Sequence, residues 1–464
     1  MWSRQDSRLT EVYNLLESGL EAEALARLQK LAADAAGYSL ELNLRLASLS
    51  TLFAERGLKS AQHYLSAVKT SRPLFIALSA ETKALQSQVG QSQNQAGSSL
   101  KLLKRALESN DVLTRYHGAR ALSLSGDNRR AQEVLETLHP SRLPICFRWR
   151  YWSLLGELLA QRSQFKKAIQ AFEQSLNLAP ETNKPLERFS MAELWLHLSR
   201  PDEALKVLGD EVPTLDDLAE LVRGFYLFGV AKRQLGQLHE ALGFLQRAKA
   251  LAQEVGELPF ELLQEVARLH AALGQVEEAL ATYKSALDSV PAVNRSALEH
   301  EYARALKDFG HFNDAETALR SVLSEARYPH RAAASAELAE VSYFLGKFNR
   351  VKPLAEYAIR GGVVGPACLS LGRVALEYFH LEEAEAWLEQ AASASAKGEP
   401  LWLSAQLLLA ETFAHKADTQ PERLKDYAER ALGYLPAQDP WIATLESYIA
   451  RADKILAGQS RIVN

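Results

Sequence analysis

Gly236-Gln237-Leu238-His239-Glu240-Ala241-Leu242 returns one unit later as Gly274-Gln275-Val276-Glu277-Glu278-Ala279-Leu280, and again as Gly310-His311-Phe312-Asn313-Asp314-Ala315. Glycine accepts the left-handed backbone that closes a helix, and the apolar residues after it return at helical spacing. Each copy therefore reads as the tight turn between two amphipathic helices. Looser copies extend the phrase along the chain at intervals that mostly run 36–38 residues. A period in that range predicts an all-α solenoid whose units each pack on their neighbours and share one continuous core. Such a fold is expected to work as a surface, without a pocket of catalytic groups.

Working outward, the second helix of each unit is marked by a small or apolar residue: Ala24, Ala61, Ser99, Ala131, Ala168, Ala204, Ala241, Ala279, Ala315, Val351, Ala384 and Leu424. The best-formed unit begins at Trp152 and continues through Leu155-Gly156, Leu159, Phe165, Ala168, Phe172, Ser175 and Pro180. Its spacing predicts helices over 150–162 and 165–178, with Trp152 buried and Pro180 ending the second helix. This pattern closely resembles the tetratricopeptide repeat, and the lengthened period is similar to that of bacterial regulator domains built from such repeats. The resemblance implies a right-handed superhelix of about twelve helix-turn-helix units, with first helices lining the concave face. Residues 1–464 are then one continuous array with short flexible tails, a hinge at 86–99 and an irregularity at 361–366. The polar, nearly uncharged run 86–99 suggests the hinge, and Gly361-Gly362 followed by Gly365-Pro366 suggests a helix stop and restart.

Composition narrows the function classes. The 464 residues are 47% hydrophobic and 24% charged, as in an ordinary folded chain, with a formal net charge of −4. Nothing global argues for nucleic acid or an anionic membrane. Cys146 and Cys368 stand alone and far apart, without metal spacing, and fit small apolar fillers in a reducing compartment. No stretch approaches a membrane span and the N-terminus lacks a signal-peptide core, so a cytoplasmic location without membrane insertion is expected. No phosphate-binding loop, paired-histidine zinc motif or nucleophile elbow occurs. No catalytic residue, cofactor or metal is therefore expected.

The strongest candidate binding feature is local charge. Residues 101–167 hold thirteen basic residues against six acidic ones, a balance of +7. At the centre lies Phe147-Arg148-Trp149-Arg150-Tyr151-Trp152, and arginine beside aromatics suits anion recognition and interface hot spots. Arg150, Ser153, Glu157 and Gln161 follow at helical spacing, and on a first helix the resemblance would turn them together into the groove. With Arg115, Arg120, Arg148, Trp149 and Tyr151 they form the candidate partner surface. Residues 251–280 and 374–400 reverse the sign, at six acids against one base each. That polarity could orient a partner or align copies of the chain head to tail, which leaves a homo-oligomer open. The lysine–asparagine clamp that some such domains use for C-terminal carboxylates is not expected in the central units, since Ser153, Glu157, Phe189, Glu193, Tyr226 and Val230 occupy its places.

The leading expectation is a non-catalytic scaffold or adaptor that binds a protein or peptide along its groove. The alternative is a ligand- or peptide-sensing module that acts through a partner protein. Nucleic-acid binding through 101–167 comes third, against the near-neutral total charge.

Overall fold

The computed structural model describes residues 6–88, 103–215 and 217–463, the last few of these by backbone alone. Among them all regular structure is helical. The chain divides into two compact units, Met1–Glu257 and Leu258–Asn464. The first holds α1 (Ser7–Glu17), α2 (Glu21–Ala32), α3 (Leu40–Ser50), α4 (Ala54–Ser66), α5 (Pro73–Gln88) and α6, described over 103–107. It continues with α7 (Val112–Leu124), α8 (Asn128–Glu136), α9 (Ile145–Gln161), α10 (Phe165–Leu178), α11 (Lys184–His197), α12 (Pro201–Leu208), α13 (Leu218–Gln234) and α14 (Leu238–Val255). The second holds α15 (Phe260–Ala272), α16 (Val276–Ser289), α17 (Ala292–Asp308), α18 (Phe312–Ser324), α19 (Arg331–Phe344) and α20 (Phe348–Arg360). It ends with α21 (Gly365–Glu377), α22 (Leu381–Ser393), α23 (Pro400–His415), α24 (Pro421–Leu432) and α25 (Trp441–Val463).

Odd-numbered helices are the first of each pair and even-numbered helices the second; α25 packs on α24. The fold is the all-α solenoid that the period implies. Its register is set by a recurring C-terminal turn. Residues 19, 126, 163, 199, 236, 274, 310, 346 and 379 all have positive φ and end a first helix. The next amide donates back over the turn, as Gln237 to the Lys232 carbonyl (2.9 Å) and His380 to the Ala375 carbonyl (2.8 Å). Those bonds satisfy carbonyls that a helix end would otherwise orphan.

From each such turn, fixed offsets define the core. Seven residues earlier stands a small or β-branched residue, such as Ala119, Ala267 or Ala303, each 0% exposed. In three units that residue is glycine because nothing larger fits. A Cβ on Gly156 would lie 2.9 Å from the Phe172 ring, and one on Gly372 would lie 2.6 Å from Leu388. Five residues after each of these nine turns comes a second-helix marker, and all eleven described markers, from Ala24 to Leu424, are 0% exposed. Ser99 lies outside the described residues, as does the hinge beyond Gln88.

Two local readings change. The first helix of the central pair starts at Ile145, because Pro144 forms its N-cap, and so gains more than a turn over the expected 150. Trp152 is only half-buried, while Trp149 and Tyr151 take the enclosed places. Helix α20 ends at Arg360 and α21 begins at Gly365 with Pro366 in its first turn.

The first unit also closes on itself. Arg150 on α9 pairs with Glu21 at the start of α2, Thr182 donates to the Gly19 carbonyl (3.3 Å), and Asn183 donates to Glu21 (3.4 Å). The first helix pair is thereby tied to the fifth.

Candidate partner-binding surface

The side chains flagged in 101–167 fall into two groups. Arg120, Arg148, Arg150, Trp149 and Tyr151 are engaged within the chain. Arg148 donates to the carbonyls of Leu143 and Ser141, both at 2.9 Å, and so holds the loop that leads into its own helix. Arg150, its side chain 12% exposed, bonds Glu21 and the Cys146 carbonyl and lies 4.2 Å above the Trp149 ring. Tyr151 donates its hydroxyl to the Leu135 carbonyl (2.9 Å). Arg115 on α7 reaches the hydroxyl of Thr137, the C-cap of α8 in the same pair.

Arg120 belongs to a buried network. It pairs with Glu81 (2.8 Å) and donates to the Thr51 carbonyl (3.1 Å). Glu81 also meets His117 Nδ1 (2.7 Å), whose Nε2 meets Ser48 Oγ (2.6 Å). Burial alone would raise the Glu81 carboxyl, but Arg120 and His117 hold it below the ordinary range. Serine, histidine and acid in this order resemble a hydrolytic triad. Yet Ser48 is 1% exposed and His117 and Glu81 are 0% exposed, so substrate has no access. The network locks α3, α5 and α7 together.

Ser153, Glu157 and Gln161 behave differently. They descend one face of α9 in steps of about a turn, with Ser153 half-buried and the other two exposed. Ser153 donates to Glu187 on α11 (2.9 Å), and Gln161 accepts from Asn128 (2.6 Å). Glu157 faces Arg120 and Arg223, and crowding by the neighbouring helices raises its carboxyl nonetheless. Arg223 on α13 extends the row by pairing with Glu193 (2.8 Å) on α11. Burial, helped by the nearby Glu157 charge, pushes Glu187 up to about 7, and its second carboxylate oxygen has no hydrogen-bond partner.

Beside this row the N-terminal ends of α3, α5, α7 and α9 and one flank of α1 enclose a cavity of about 820 Å³. Arg45, Arg72, Arg142 and Arg148 line it together with Glu17, Glu41 and Asp111. The second unit repeats the cross-helix pairing. Arg268 on α15 bonds Glu301 on α17, Arg304 on α17 bonds Glu337 on α19, and Lys307 on α17 bonds Glu340 on α19 (2.8 Å). The partners in all three are 33 residues apart. Charge counts miss Glu81, Glu187, Glu193 and Arg223. The signal that finds them is an acid and a donor separated by about one repeat.

Among the described residues no cluster of ligating side chains could hold a metal ion. No helix of the described residues is long and apolar enough to cross a membrane.

The arrangement defines a helical-repeat protein, and residues 150–182 match the family model described as the tetratricopeptide repeat. Those residues run from within α9 through α10 to the loop before α11.

Solved structures are similar at the level of fold. One is a chain of the APC/C hetero-tetramer Cut9–Hcn1, at 14% identity over 89% of this chain and 96% of that one, with a TM-score of 0.41. PilF of Pseudomonas aeruginosa matches at 15% identity over 52% of this chain and 99% of its own, with a TM-score of 0.39. PH0952 of Pyrococcus horikoshii, a signal transduction ATPase with a tetratricopeptide repeat sensor, matches at 16% identity over 96% of this chain and 74% of its own, with a TM-score of 0.49. No curated protein sequence matches the chain.

Proposed function

We propose that the chain is a non-catalytic interaction scaffold that binds a protein or peptide along the first-helix face of its N-terminal unit. Repeats of this class generally mediate protein–protein interaction, which supports the coarser half of the reading. The observation that carries the finer half is the division on α9. Glu157 and Gln161 are exposed and Ser153 half-buried, while Cys146, Phe147, Trp149, Tyr151, Leu155 and Leu158 are buried. With Arg223 alongside, the row offers charged and hydrogen-bonding groups, which suits an extended polar backbone. Arg148 and Arg150 serve this surface from behind by fixing the helix that displays it.

A photo-crosslinking residue at Glu157 or Gln161, used in the native cell, should capture the same polypeptide from both positions. The same probe at Lys166, exposed on α10, should leave that polypeptide unlabelled. Equal labelling at Lys166, or no adduct at either groove position, contradicts the assignment.

The cavity of about 820 Å³ supports a second reading, in which a small ligand or peptide is sensed and reported to a partner. Thermal stabilisation by a metabolite, lost on Arg72→Ala, distinguishes it.

A further inference from the structure

Eight of the nine positive-φ turns that end first helices carry glycine or serine; the ninth carries Phe379, at φ 55. The turn at Gly346 shows what that position requires. Its φ is +69, and a Cβ there would meet no atom within 4 Å, so a side chain points to open space and only the backbone penalises it. For a bulky L-residue the left-handed region is strained, because Cβ crowds the following carbonyl oxygen. Yet Phe379 is 68% exposed with an edge contact to His415 at 5.4 Å between centroids, and Tyr378 beside it is 57% exposed and edge-on to Phe348 at 5.9 Å. Folding gains little from this ring. Strain held at an exposed aromatic is the kind of local cost that accompanies a contact made elsewhere.

The flanks of this ridge are acidic. Glu382 is 88% and Glu383 53% exposed at their side chains. Lys416 answers Glu382 (3.2 Å) but is shared with Glu385, and Glu383 has His380 (3.6 Å) and the Trp387 indole (3.3 Å). The ridge thus presents two aromatics followed by an excess of carboxylate.

The same unit carries the complementary surface. Between α18, α19 and α20 lies an apolar groove of about 450 Å³, floored by Leu323, Leu338, Pro353 and Leu354 and flanked by Tyr357. Three arginines line it, Arg320, Arg331 and Arg350, and no acid does. Glu316 takes Arg320 (2.7 Å), Lys347 (2.5 Å) and Arg350 (3.0 Å) together, so the cluster keeps a positive excess. The Nε of Arg331 is buried without a hydrogen-bond partner. Pro353, inside α20, has no N–H to give the Asn349 carbonyl at the groove wall.

We propose that the chain self-associates: the Tyr378–Phe379 ridge of one copy inserts into the arginine-rimmed groove of a second, with Glu382 and Glu383 meeting Arg331 and Arg350. Apolar surface fits apolar surface, and excess negative charge meets excess positive charge. The two surfaces differ, so the contact is heterologous and each copy keeps one ridge and one groove free for the next.

The test is sedimentation of the full chain from low to high micromolar concentration at low salt. Wild type should associate with rising concentration and dissociate as salt screens the contact. Phe379→Gly should weaken association about tenfold or more, as loss of an aromatic hot spot does, while raising the unfolding midpoint by relieving the turn. The groove variant Arg331→Glu/Arg350→Ala, its fold checked by circular dichroism, should weaken association likewise. Mixing the two variants should give dimers and nothing larger, because each retains one working surface. A wild type that remains monomeric throughout overturns the proposal, as do undiminished association of Phe379→Gly and a lowered unfolding midpoint in that variant.

Discussion

Arginines of the two units do opposite work. Arg120 and Arg150 in the first unit are 16% and 12% exposed at their side chains and are spent on Glu81 and Glu21. Arg320 and Arg350 in the second are 53% and 47% exposed, and they share a single carboxylate with Lys347. The same residue type is a bolt in one place and a rim in the other. What decides is the supply of acids within reach. Glu81 and Glu21 each meet their own arginine, whereas Glu316 is outnumbered. The first cluster therefore resists mutation as a matter of folding, and the second leaves positive charge over for a partner.

The largest effect should come from Glu81→Gln, which strands Arg120 in the core. Breaking one side of a buried pair costs about 3–5 kcal/mol, so denaturant unfolding of the first unit should shift far to lower concentration. A loss below ~1 kcal/mol would show the network to be incidental.

Next comes Glu187, held near 7 in the folded state against 4.5 for an unperturbed glutamate. Between those values the native state binds the proton more tightly, so this group's contribution is full below about pH 4.5 and is lost as pH rises toward 7. Glu187→Gln should remove that slope and stabilise the protein above pH 7 by ~3 kcal/mol, the free energy of a shift of this size. Melting curves across pH 4–8 check it, and parallel curves for wild type and variant would refute it.

Phe379→Gly should raise stability by about 1 kcal/mol, since glycine adopts the turn without strain. Smallest of all, Arg350→Ala should change stability by less than about 1 kcal/mol, as for an exposed pair whose acid keeps two other cations.

Much of this architecture can be read before any coordinates. The phrase at Gly236, Gly274 and Gly310 is the positive-φ turn itself, and the alanines five residues later are the enclosed contacts between paired helices. Both are local, so a single unit displays them. The candidate surface is read less well, because charge counting cannot see a partner 129 residues away, as Glu21 is from Arg150. That pairing exists only once the superhelical turn has closed. Trp152 differs for a local reason. Its signature position was right, but starting α9 at Ile145 lets Trp149 and Tyr151 fill the space against the neighbouring helices. Phe379 was hidden because a loose copy of the phrase, with phenylalanine at the glycine place, looks like an absence of signal. In three dimensions that departure is the informative one.

The measurement that tests the contrast most directly is the unfolding of Arg120→Ala beside Arg350→Ala under identical conditions. Arg120→Ala, which leaves Glu81 buried and short of its cation, should lose about 3–5 kcal/mol, and Arg350→Ala less than about 1 kcal/mol. Equal losses, or the reverse order, would contradict that contrast.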